Sequence, residues 1–100
     1  MTETDIQNNI RQALSAHGVV FRMQSGMFYT ETGEKIRVGI PGMSDLLFVG
    51  NGFIAWIEVK TAKGRPSKEQ LNFIEKMQAL GHRAGIARSV EEALWLIGKN

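Results

Sequence analysis

The sequence predicts an α/β protein. Three segments carry apolar residues at helical spacing, each behind a side chain suited to cap a helix: Thr2, Ser67 and Ser89. Two apolar runs, 45–49 and 53–60, flank Asn51-Gly52, the strongest short signal for a β-hairpin. Hydrophobic residues make up 43% and charged residues 22%, a balance that excludes a disordered or fibrous chain.

The first helix is expected over 2–17, with Ile6, Ile10, Ala13 and Leu14 facing inward. Thr2 and Asp5 form its capping pair, and Gly18 stops it. Residues 19–24 read as a strand. Residues 27–29 and 35–38 read as two arms of a hairpin turning at Glu31-Thr32-Gly33-Glu34. Gly39-Ile40-Pro41-Gly42 is a break. Strands over 45–49 and 53–60 then pair around a type I′ turn at Asn51-Gly52. A basic loop covers 62–66. A helix over 67–80 follows, capped by Ser67 with Gln70, with Leu71, Phe73, Ile74, Met77 and Leu80 on or near its buried face. A short strand over 83–88 and a helix over 89–97, capped by Ser89 with Glu92, complete the order. No repeats, linkers or low-complexity segments interrupt it.

One hundred residues make one domain, 1–100, whose modest core a partner subunit would enlarge. The absence of cysteine excludes a disulfide framework, a thiolate metal site and a cysteine nucleophile. His17 and His82 do not by themselves complete a histidine zinc site. No apolar run approaches the roughly 20 residues of a membrane span. Met1–Asp5 is polar and acidic, unlike a signal peptide. A soluble intracellular protein is expected. The net charge of +2 is compatible with nucleic acid without demanding it. Lys60, Lys63, Arg65 and Lys68 crowd one nine-residue window with no acid among them.

The Asn-Gly turn has a geometric consequence. With Gly50 facing Phe53, Asp45 lies across from Glu58, where cross-strand Cβ atoms are about 4.5–5.5 Å apart. Alternation puts Lys60 on the same face as Glu58. Two carboxylates side by side in a half-buried place repel each other and lose hydration. A divalent cation such as Mg²⁺ resolves that conflict. The plain alternative is a solvent-facing ion pair of Lys60 with one carboxylate. The helix beginning at Ser67 points its positive end at the same place, so a polyanion fits between.

An Asp at the start of one strand, Glu-x-Lys on the next and Gln in the following helix resembles the PD-(D/E)xK nuclease superfamily. Within it, Gly42-Met43-Ser44-Asp45, Glu58-Val59-Lys60-Thr61-Ala62-Lys63-Gly64-Arg65 and Ser67-Lys68-Glu69-Gln70 resemble the stand-alone VRR-NUC (virus-type replication-repair nuclease) domains of phages and bacteria. Ser44 stands where the superfamily pattern has proline. The resemblance implies a restriction-endonuclease-like αβββαβ core, with a central mixed sheet flanked by helices and one extra C-terminal helix. It implies a Mg²⁺-dependent endonuclease, with Mn²⁺ as a substitute, acting on branched DNA such as four-way junctions. It also implies a homodimer in the cytoplasm of a bacterial or phage-infected cell, with neither membrane nor organic cofactor. Asp45 and Glu58 become metal ligands, with the Val59 carbonyl as a third. Lys60 assists the attacking water, and Gln70 positions Lys60 or the water.

Glu3 matches an acid that related nucleases bring to the metal, or is a simple favourable charge at a helix start. The capping partnership with Ser67 is the other role open to Gln70, with the active-site role favoured and both compatible. Lys63, Arg65 and Lys68 are expected on DNA, with Arg22, Lys35 and Arg37 as further phosphate contacts or an exposed strand face. Trp56 and Trp95 are expected in the core rather than as base-stacking platforms. Met23, Met27, Phe28 and Tyr29 fit core, dimer surface or a wedge against DNA. A non-catalytic DNA-binding module, or a subunit needing a partner protein, is the competing reading.

Overall fold

A computed structural model describes residues 1–99. Its order is α1 (Glu3–Leu14), β1 (Val19–Arg22), β2 (Gly26–Tyr29), β3 (Lys35–Val38), β4 (Leu46–Val49), β5 (Ile54–Val59), α2 (Lys68–Ala79), β6 (Arg83–Ala87) and α3 (Val90–Leu96). One sheet has the order β1-β4-β5-β6, antiparallel except for the parallel β5–β6 pair that α2 connects. This mixed sheet, flanked by helices, is a restriction-endonuclease-like core. β2 and β3 form a separate two-stranded sheet, inserted between the first and second core strands.

The sequence signals explain most of these elements. Thr2 and Asp5 make a full capping box at 3.0–3.1 Å, and Ser67 with Gln70 makes another. α1 ends earlier than its apolar spacing suggests, at Leu14. Gly18 serves a different purpose, since a Cβ there would sit 2.4 Å from the Val49 carbonyl oxygen. The β4–β5 register is the expected one: Leu46 faces Ile57 and Val49 faces Ile54. The turn between them is not type I′. Among the described residues no non-glycine has positive φ, so Gly52 alone carries it, as in a type II turn.

Leu46, Phe48, Ala55, Ile57 and Val59 face one side and bury against Ile6, Ile10 and Leu14 of α1 and Ala93 of α3, with Ile97 just beyond it. The other face is only half covered. There Trp56 meets Phe73 of α2 edge-on at 5.1 Å. Phe73 and Ile74 are the buried side chains of α2, whereas Leu71 and Leu80 point to solvent. Trp95 is 69% exposed and is not core.

Gly42 docks the loop before β4 against α2. Its φ is +79°, and a Cβ would lie 2.1 Å from the Glu69 carbonyl oxygen. Gly42→Ala is therefore expected to destabilise the fold by about 1–3 kcal/mol, through strain and displacement of the first turn of α2. Chemical denaturation checks this.

No helix among the described residues is long and apolar enough to cross a membrane.

Candidate active site

Four elements converge at the C-terminal end of β5. Asp45 immediately precedes β4, and continuing the ladder past Leu46↔Ile57 brings it opposite Glu58. Its carbonyl accepts from the Met23 N–H at 2.8 Å, which ties it to the end of β1. Its carboxylate Oδ2 accepts from the Val59 N–H, also at 2.8 Å, which leaves Oδ1 for another partner. Lys60 is held at the end of β5 by its N–H, which donates to the Ala87 carbonyl.

Glu58 is 1% exposed. Its Oε2 accepts from Gln70 Nε2 at 3.0 Å and lies 3.7 Å from Lys60 Nζ. Its Oε1 is buried with no hydrogen-bond partner. The ion pair expected at a solvent-facing strand end is thus found inside the protein, and it is incomplete. Burial first, and the facing Asp45 carboxylate second, push the Glu58 carboxyl up from 4.5 to about 8, against the opposing pull of Lys60. Such an oxygen needs a partner, either a proton shared with the Asp45 carboxylate, which the raised Glu58 carboxyl permits, or a ligand that replaces that proton.

Gln70 carries both of the roles open to it. Its Oε1 accepts from the Ser67 N–H at 2.8 Å, closing the capping box, while its Nε2 reaches Glu58. One side chain therefore couples the start of α2 to the carboxylate pair. Ser67→Ala should cost about 1 kcal/mol of stability. Gln70→Ala should cost more, because it also removes the Nε2 donor from Glu58. Thermal melting separates the two variants.

Glu3 begins α1 and is exposed. Its charge adds to the pressure on Glu58 without joining the pair, and among the described residues no three acidic or histidine side chains group as a ready metal cage. The donor set is therefore two carboxylates, which suits Mg²⁺, an ion that keeps several waters. Asp45 Oδ1 and Glu58 Oε1 are the oxygens that could hold such an ion. The Val59 side chain is buried in the core, and its backbone is next to both carboxylates.

Lys63 and Arg65 are exposed on the loop after β5, and Lys68 is exposed at the start of α2. Lys35 and Arg37 are exposed on β3, in the inserted hairpin. The sequence reading missed Arg88. Its Nη1 donates to the carbonyls of Thr61 and Gly64 and so fixes the basic loop. Those partners lie 24 and 27 residues away, and no local pattern signals them.

No family profile matches the sequence, and no curated protein matches it. Among solved structures, one described as a VRR-NUC domain is similar over 98% of this chain and 97% of that chain, with a TM-score of 0.70 and 24% identity. The chain has the fold of a VRR-NUC domain. That is a nuclease-domain fold, and Asp45, Glu58, Lys60 and Gln70 stand together within it. The expected αβββαβ order is met by α1, β1, β4, β5, α2 and β6, with β2–β3 inserted and α3 as the additional helix.

Proposed function

We propose that the protein is a Mg²⁺-dependent, structure-selective DNA endonuclease. The observation that carries this is the buried Glu58, with Oε1 unpartnered, set opposite Asp45 and beside Lys60. Mg²⁺, or Mn²⁺ in its place, would supply Lewis acidity for hydrolysis of a phosphodiester by water. Asp45 and Glu58 would hold the ion, with the Val59 carbonyl as a further donor and Glu3 as an outlying acid. The hydrogen bond from the Val59 N–H keeps Asp45 in one orientation, and Gln70 does the same for Glu58. The Lys60 ammonium orients the attacking water or offsets charge developing on the phosphate. Lys63, Arg65 and Lys68 grip the backbone phosphates, which gives affinity without sequence readout.

The register of the hairpin supports a division of labour. Met27 faces Arg37 and Tyr29 faces Lys35, so one side is basic and aromatic. Phe28, Ile36 and Val38 share the opposite side and are exposed. An isolated two-stranded hairpin is marginal in water. A second copy of the chain covering the apolar side would stabilise it, and the basic side would then face DNA. The substrate class proposed is branched DNA such as a four-way junction, cut by a homodimer in the cytoplasm of a bacterial or phage-infected cell.

The test is cleavage of a labelled panel of linear duplex, single strand, flap and four-way junction, with Mg²⁺ and with Mn²⁺. Metal-dependent cutting strongest on a branched member is expected. Binding without cutting under either metal would move the protein to the class of DNA-binding modules.

A further inference from the structure

A hollow of about 420 Å³ opens at the same end of the sheet as the carboxylates but on its α1–α3 side, between α1, the loop after Lys60 and the start of α3. Met1, Ile6, Ala62 and Val90 give it apolar walls, and Thr61 and Asn9, whose amide donates to Met1 Sδ, border it with polar groups. The wall formed by the loop is held in place, because Arg88 bonds the carbonyls of Thr61 and Gly64. Thr61 and Ala62 directly follow Lys60, so the hollow begins within about 7 Å of chain from the catalytic lysine.

Size and chemistry restrict the occupant. The volume suits a small ligand and is too small for a duplex. A nucleobase has two apolar faces and a polar edge, which matches apolar walls with the Asn9 amide among them. The same loop carries Lys63 and Arg65, whose charges suit the phosphates on either side of such a base.

We infer that this hollow takes one unpaired base of the DNA strand held at the Asp45–Glu58 site. The inference rests on the nuclease reading above and adds a source of its selectivity. An already unpaired base enters without the unpairing that a duplex would require.

The experiment uses a flap whose unpaired nucleotide next to the junction is 2-aminopurine, bound in Ca²⁺ so that fluorescence is read apart from cleavage. Ala62→Leu narrows the hollow, and Asn9→Ala removes its amide. Both positions are exposed, so melting midpoints near wild type are expected. Wild type should change the 2-aminopurine fluorescence on binding. Ala62→Leu should abolish that change and weaken flap binding about tenfold, leaving linear-duplex binding unchanged. Asn9→Ala should shift which base is preferred at that position.

The inference is overturned if Ala62→Leu gives the wild-type fluorescence change, or if it weakens flap and duplex equally. Cleavage in Mg²⁺ is scored separately. A fluorescence change that depends on Ala62, in a protein that cuts nothing, supports the hollow and sinks the nuclease reading. Flap cutting with identical fluorescence in both proteins does the reverse.

Discussion

In a chelating buffer at pH 8, Glu58→Gln is expected to melt above the wild type. The folded state holds the Glu58 carboxyl at about 8, whereas an unfolded chain leaves it near 4.5. The stability of a group raised in this way is fully present below 4.5 and is lost as pH rises through about 8. The shift corresponds to at most about 5 kcal/mol by pH 8. Glutamine keeps the shape and still accepts the Gln70 amide, but it carries no charge to bury. Even 1 kcal/mol of the difference raises the midpoint of a domain this size by about 4–8 °C. The two proteins should converge near pH 5. Millimolar Mg²⁺ or Mn²⁺ should raise the wild-type midpoint and leave that of Glu58→Gln unmoved. A variant that melts below wild type at pH 8, with and without metal, would mean that the carboxylate is structural.

Lys60→Ala is expected to lower single-turnover cleavage by about 10²–10³-fold, the usual effect of removing one group that stabilises charge in the transition state. DNA affinity should stay near wild type, because the proposed phosphate contacts are Lys63, Arg65 and Lys68. Asp45→Asn should lose activity at least as far. Its side-chain oxygen can still accept the Val59 N–H, so its fold should persist. Cleavage in both variants within threefold of wild type would remove these residues from the chemistry.

Much of the site was legible because it follows from local rules. Asn51-Gly52 set the hairpin register, and the register placed Asp45 across from Glu58. Alternation then placed Lys60 beside them. The register survived an error in the turn, since a two-residue loop ending in glycine pairs the same residues whether it is type I′ or type II. Gln70 offered two roles because a glutamine at the third helical position has two functional ends, and the structure uses both.

Tertiary geometry hid the rest. Leu71 and Leu80 fit the helical period, but α2 crosses only a half-covered sheet face and buries a narrow strip around Phe73 and Ile74. Trp95 is an expected core residue, yet α3 turns it to solvent. The separation of β2–β3 from the main sheet is a matter of pairing partners, which strand pattern does not encode. Arg88 acts on a loop more than 20 residues earlier in the chain.

The central claim is that Asp45 and Glu58 hold a divalent cation. The most direct measurement is calorimetric titration of Mn²⁺ at pH 8 into wild type, Lys60→Ala and Asp45→Asn, each alone and with a bound four-way junction. The expected result is a Mn²⁺ site in wild type, kept in Lys60→Ala and absent in Asp45→Asn. The account is contradicted if wild type takes up no Mn²⁺ even on DNA, or if Asp45→Asn binds it as tightly as wild type.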